Sequence, residues 1–417
     1  MLLSRFWLLS SLLVLLHATG AIVQAIPTAP ITLPIAKRFN FTGSARMLQQ
    51  DQARARNLHG RGIVTRDAGS TPQALSPDAG SVPAENLLAS YVVNVNIGSP
   101  PSSYELIVDT GSSNTWVGAG RTYVHTFALA ITSTGVVLIS VTHEGAEFMD
   151  TVQLGIGAGL TIARQSIGVA NESKGYNGFD GVLGLGRRGL TVGTLSPDVT
   201  STIPTVTENL FSQGRIASEM VSISFEPTNH VAMNGQLTFG GVDPTKFIGD
   251  IVFAPITTTT PSSEYFGVDQ TVRYGTSHTL LANSPGIFDT GTSLVLIATD
   301  ALQAYIKLVG AELDPATGLY RITPAQYEGL QSMFFTINNV VYEFTANAQI
   351  WPRNLNQIMG GNNDFLYLML GDLGHPSGSG MDIINGMMFL ERFYTVYDTQ
   401  NHRVGIANTP FTMATTN

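Results

Sequence analysis

An all-β protein built from two related lobes is what this sequence predicts, on three observations. The chain has 417 residues, with 43% apolar and only 12% charged residues and 43 glycines. Its apolar runs are short, rich in Val, Ile and Thr, and bounded by Gly, Asn or Pro, which suits strands and turns better than long helices. One stretch also occurs twice, as Val108-Asp109-Thr110-Gly111-Ser112-Ser113 and as Phe288-Asp289-Thr290-Gly291-Thr292-Ser293, with the two aspartates 180 positions apart. Such a duplication places one copy in each half of the chain. The seam is expected near 250–265, where Pro255 and Pro261 bracket a Thr-rich stretch.

Taken in order, residues 1–25 read as a secretory signal, with Arg5 as the one charge, an apolar run from Leu8 to Leu16 and a small-residue cleavage site at Val23-Gln24-Ala25. A membrane anchor is the competing reading, but the run is too short for a span of about 20 residues. Residues 26–78 carry seven basic and three acidic residues, a net of +4, whereas the chain from Ala79 onward has 13 basic and 27 acidic residues, a net of −14. A basic segment ahead of an acidic globule suggests a pro-segment held on partly by charge; a disordered basic tail is the plainer alternative. Gly69 to Pro72 and Ser76 to Asp78 supply an exposed, cleavable linker. The expected division is thus 1–25 signal, 26–78 pro-segment, 79–260 first lobe and 261–417 second lobe.

Within the lobes, strands are expected at Tyr91–Ile97, Asp150–Leu154, Met220–Phe225, Gln236–Phe239 and Met333–Ile337. Helices should be few. Asp300–Ile306, with Asp300 as its cap, and Thr207–Phe211 are the candidates.

The chain has no cysteine, which excludes disulfides, zinc-thiolate sites and a thiol nucleophile. A single Asp-Thr-Gly is ordinarily no more than a turn. Two copies, each following an apolar strand, carry chemistry. Two carboxylates within hydrogen-bond reach cannot both ionise freely, so one keeps a proton while the other serves as a general base on a shared water. Asp109 and Asp289 are the candidate catalytic pair. Thr110, Gly111, Ser112, Thr290, Gly291 and Thr292 are the supporting loop residues: the glycines are expected to let the loop turn tightly, and the Ser112 and Thr292 hydroxyls to hydrogen-bond the outer carboxylate oxygens.

From about Ala79 to its end the chain resembles the pepsin-type aspartic proteases, and among them the secreted fungal kind. The resemblance rests on Val108–Trp116, Phe179–Gly186, Phe288–Leu294, Ala346–Leu355 and Ile383–Asp398. It implies that Asp109 and Asp289 form the dyad and that Val182-Leu183-Gly184 and Ile384-Asn385-Gly386 thread behind the two loops. It also implies that an extended peptide lies in the cleft, with apolar side chains flanking the scissile bond. In that family a hairpin flap carries a Tyr whose hydroxyl pairs with the indole of the Trp after the first loop, here Trp116.

The corresponding region, Ile139 to Asp150, is shortened by roughly five residues at its tip and has no Tyr; His143 stands near that place, and a lone surface His is most often inert. Just upstream, Phe127 to Ile139 is more apolar than a surface hairpin should be. Three readings stay open: a truly short flap, loss of catalysis with the cleft retained, or a misread splice junction, which the apolar oddity favours.

Asn171-Glu172-Ser173 is a glycosylation sequon, as is Asn40-Phe41-Thr42 in the presumed pro-segment. Gly181 to Gly186 lacks the following helix of a phosphate loop, histidines have no metal-ligand spacing, and Arg187-Arg188 is too small a patch for nucleic acid. The expected protein is a secreted, monomeric acid endopeptidase that needs no cofactor or metal and binds neither nucleic acid nor membrane. Its partners are an extended peptide or protein substrate and its own pro-segment. The alternative is a catalytically impaired homologue that binds peptide or glycan in the same cleft; a proteinaceous inhibitor is a more remote third.

Overall fold

The computed structural model describes residues 29–39, 47–64, 89–124, 129–130, 136–140, 143–155, 160–171 and 178–417. The expected signal, the 69–78 linker and the Asn40 sequon lie outside these residues, as do Val141 and Thr142 of the expected flap.

The chain forms an all-β, two-lobed molecule. The first lobe begins with β2 (Ala89–Ile97) and β3 (Ser102–Asp109), an antiparallel pair in which Val95 faces Tyr104 and Val92 faces Ile107. Alternation explains the inward faces: Tyr91, Val93, Val95 and Ile97 are buried, whereas Asn94 is exposed. After the loop at 110–115 the chain returns as β4 (Trp116–Val117). Strand Gly181–Gly184 lies between β3 and β4, parallel to one and antiparallel to the other.

The second lobe repeats the device. Strand His278–Phe288 enters the loop, Val295–Ile297 leaves it, and Ile383–Asn385 lies between them with the same two senses. The threading strands therefore stand where the resemblance implies. The final residues of each threading motif are glycine because a side chain would have no room: a Cβ on Gly184 would meet the Asn114 carbonyl oxygen at 2.6 Å, and one on Gly386 the Leu294 carbonyl oxygen at 2.1 Å.

A central layer joins the halves. Strands Met220–Phe225, Ala232–Phe239, Phe393–Asp398, Arg403–Asn408 and Ile248–Pro255 are hydrogen-bonded in a continuous series. Into this layer, between Ala232–Phe239 and β2, runs β1 (Ile31–Phe39), from the segment expected as a pro-segment. Its inward residues Leu33 and Ile35 are buried, and Lys37 is buried as well, with its Nζ 2.5 Å from Glu391 Oε1.

Each expected strand is present, and most extend beyond the apolar alternation because ladder hydrogen bonds continue into polar residues. The helices differ more. The expected 300–306 helix spans Thr299–Val309, and Asp300 is not its cap: Ala298 holds that position, while the Asp300 carboxylate accepts from the Ser377 N–H and hydroxyl at 2.8 and 2.6 Å. The 207–211 helix spans Val206–Ser212, started by a capping box of Thr205 and Glu208. Helix α1, Met47–Val64, was not expected. Its buried stripe is Met47, Asp51, Ala55 and Leu58, at helical spacing but half of it polar or small. An apolar-period search does not register such a stripe.

Candidate active site

The two loops meet at the centre of the molecule and hold each other through their threonines. The Thr110 N–H donates to Thr290 Oγ1, and the Thr290 N–H to Thr110 Oγ1, both at 3.0 Å. Each hydroxyl in turn donates across the two-fold: Thr110 Oγ1 to the Phe288 carbonyl at 3.1 Å, and Thr290 Oγ1 to the Val108 carbonyl at 2.8 Å. Four hydrogen bonds thus tie residues 178 to 182 positions apart, in a buried place where an unpaired partner is costly. Outer bonds secure the loops to the threading strands, with the Leu185 N–H on the Asp109 carbonyl at 2.7 Å and the Asp289 N–H on the Asn385 carbonyl at 3.1 Å.

The carboxylates are held alike. Asp109 Oδ1 accepts from the Gly111 N–H at 2.9 Å and Asp289 Oδ1 from the Gly291 N–H at 3.1 Å. Their other oxygens accept from the Ser112 and Thr292 hydroxyls, each at 2.5 Å, as the sequence led us to expect. The glycines have a different reason from the expected one. Neither has a left-handed φ; a Cβ on Gly111 would instead stand 2.6 Å from Asp289 Oδ1, and one on Gly291 2.7 Å from Asp109 Oδ1. Glycine is required because each loop passes against the opposing carboxylate. Trp116 is buried beside the first loop, paired through its backbone with Val182 and Gly168.

Sequence reasoning missed the groups that α1 brings to this pair. Arg54 donates through Nε to Asp289 Oδ2 at 2.7 Å and through Nη2 to Asp289 Oδ1 at 2.8 Å and Asp109 Oδ1 at 2.5 Å. One guanidinium grips both aspartates. Burial raises the Asp289 pKa, but the Arg54 charge, with hydrogen bonds from Arg54, Thr292 and the Gly291 N–H, outweighs it and holds the carboxyl below its ordinary range. One turn earlier, the fully buried Asp51 accepts from the Ser293 N–H at 3.1 Å and the Leu294 N–H at 2.8 Å. Burial pushes Asp51 up from 3.8 to about 7, against the pull of those two amides and of Arg54. Further along, the Tyr265 hydroxyl donates to the Leu58 carbonyl at 2.6 Å and Gln52 Nε2 to the Asp372 carbonyl at 3.1 Å. Nothing in the sequence distinguishes Arg54 from the other six basic residues of its segment.

The region expected as a flap forms a hairpin of Val136–Ser140 with His143–Leu154, in which Ser140 pairs with His143. Only two residues, 141 and 142, separate its strands. Asn171 is exposed at the end of strand Leu160–Ala170.

Paired Asp-Thr-Gly loops on a two-lobed β fold define an aspartic endopeptidase, and the chain belongs to the eukaryotic aspartyl protease family, whose model matches residues 90–409. It is 55% identical over 345 residues to polyporopepsin of Irpex lacteus, a match covering 81% of this chain and 100% of that relative. A crystal structure of an aspartic proteinase from Irpex lacteus matches with a TM-score of 0.76 at 54% identity, covering 81% of this chain and 99% of that one. Animal relatives are more distant: gastricsin of Cavia porcellus is 27% identical and cathepsin E of Rattus norvegicus 29% identical, covering 78% and 76% of this chain.

Proposed function

We propose that the protein is made as a secreted, latent precursor whose active form hydrolyses peptide bonds in acid with a water held between Asp109 and Asp289. The observation that carries this reading is the single guanidinium of Arg54 spanning both carboxylates: a group small enough to touch both defines a point that a water can occupy once α1 departs. With the cation gone, two close carboxylates repel, one takes up a proton, and the other is left as general base toward the water. The protonated partner polarises the substrate carbonyl. The Ser112 and Thr292 hydroxyls and the two glycine amides keep both groups oriented throughout.

Residues 26–78 are, in this reading, the pro-segment, with 79–260 and 261–417 as the two lobes and 1–25 as the secretion signal. Arg54 occupies the dyad and α1 fills the cleft, so peptide is excluded until the segment leaves. Asn171, exposed on the first lobe, is a glycosylation acceptor. The experiment is acid treatment of the full-length protein followed by a denatured protein substrate. Cleavage is expected at about pH 3–5, declining above roughly pH 6 as both carboxylates ionise. Asp109→Asn or Asp289→Asn should reduce it by at least about 1000-fold while leaving the fold intact. Cleavage by either variant, or a neutral optimum, overturns the dyad assignment.

The hairpin with only two residues between Ser140 and His143, in a region without a Tyr, favours a second reading, a cleft that binds peptide or glycan without turnover. A statine-type transition-state mimic separates the two. Cleavage blocked by the mimic supports the enzyme, and tight binding of the mimic without cleavage supports the binding protein.

A further inference from the structure

The half of α1 that lies beyond the dyad carries one member of a stacked pair of histidines. The His59 ring stacks on His375 with centroids 4.5 Å apart and planes inclined by 28°. His59 belongs to the expected pro-segment and His375 to the 372–382 loop of the second lobe. His59 Nε2 lies 3.2 Å from the Ser379 carbonyl, which can only accept, so the ring's hydrogen sits on Nε2. The His375 Nε2 is buried with no hydrogen-bond partner, so a proton added there finds no acceptor.

The charged groups around the pair are also in place. Arg56 on α1 is a positive neighbour of His375, and Asp372 is the opposing carboxylate. Asp372 is already engaged by the Thr299 hydroxyl at 2.7 Å and the Gly374 N–H at 2.8 Å. Asp382 is turned to the Gly378 and Ser379 amides, and Asp300 to Ser377. The Thr299 N–H, at the start of a helix, donates to the His375 carbonyl at 2.8 Å, so the positive end of that helix dipole lies close by.

We infer that His375, stacked on His59, is an acid-sensitive latch which holds the second half of α1 at neutral pH and expels it when the His375 ring takes up a proton. This rests on the reading of residues 26–78 as a pro-segment. The dyad alone would set release at strongly acid pH, because Arg54 holds Asp289 below its ordinary range. Imidazoles change charge at milder acidity. Burial, then His59 and Arg56, lower the His375 pKa, while Asp372 opposes them. A group whose docked pKa is lowered below its free value of 6.5 weakens docking as pH falls through that value, so the sign is that of acid release.

The test is hydrogen exchange of the α1 amides in the full-length protein as a function of pH, alongside the appearance of peptidase activity. His375→Phe keeps a stacked ring and removes the proton, and His59→Phe keeps the stacked ring and removes the imidazole that lowers the His375 pKa. Each should lower the pH of half-maximal loss of α1 protection and slow release at about pH 5.5 by roughly fivefold or more, with the proton-linked difference absent above about pH 8. An unchanged midpoint in both variants overturns the latch. His59→Phe serves as the safeguard against misfolding, since that residue leaves with the segment and the released protein is the same as wild type. The exchange readout needs no catalysis. A shifted midpoint with no peptidase in any variant would sustain the latch and refute the catalytic reading, whereas peptidase with unshifted midpoints would do the reverse.

Discussion

Thr110 and Thr290 fill two roles at once, and the distinction decides how their loss should read. Each supplies a backbone N–H and a hydroxyl to a four-bond cross-link between the lobes. Thr110→Val keeps the shape and removes one hydroxyl, which leaves the Thr290 N–H and the Phe288 carbonyl buried without it. The expected cost is about 2–6 kcal/mol, seen as a lowered denaturation midpoint of the full-length protein, since each of the two orphaned buried groups costs about 1–3 kcal/mol. A midpoint within experimental error of wild type would remove the cross-link from the account of stability. The aspartates, the neighbouring hydroxyls and the glycines were legible as a motif. The reason for the glycines was not, because the opposing carboxylate belongs to a loop 180 residues away.

At the scale of elements, α1 docks through proton-linked groups of opposite sign. Asp289 is depressed by Arg54, so its contribution to docking is present at neutral pH and is lost as pH falls through the depressed value. Asp51 is the reverse. Its docked pKa is raised from 3.8 to about 7, so its contribution is present below about pH 4 and is lost as pH rises through about 7. Asp51→Asn keeps an oxygen acceptor for the Ser293 and Leu294 amides and removes the charge. Relative to wild type, its α1 amides should gain protection progressively from about pH 4 to pH 7 and by a constant factor above that, measured by hydrogen exchange. A ratio independent of pH would show that Asp51 does not titrate in this interval. The helix escaped the sequence reading because its buried stripe mixes Met47, Ala55 and Leu58, which join an apolar cluster, with Asp51, which accepts from two backbone amides, so the apolar period is broken. The 299–309 helix shows the converse: its apolar period was legible, whereas the role of Asp300 depended on Ser377, 77 residues away.

In the molecule as a whole, the segment expected to be removed is built into the centre of the layer that joins the lobes. β1 is paired on both edges, and Lys37 and Glu391, each about 1% exposed, meet beneath it, with the Tyr91 hydroxyl donating to the same carboxylate at 3.2 Å. Removing one member of a buried pair strands the other. Lys37→Met should therefore lower the stability of the full-length protein by about 3 kcal/mol, and Lys37→Met with Glu391→Leu should recover most of the loss. Equal losses in the single and double variants would deny the pair its role.

The sequence by itself determined the class of fold, its two-fold repetition and the two aspartates, because these reside in short local patterns: alternation, turn residues and a motif stated twice. Tertiary structure decided which of seven basic residues reaches the dyad, where β1 inserts and which histidines meet. Those outcomes depend on contacts between residues 50 to 354 positions apart, formed only once the chain has folded, and no local pattern records them.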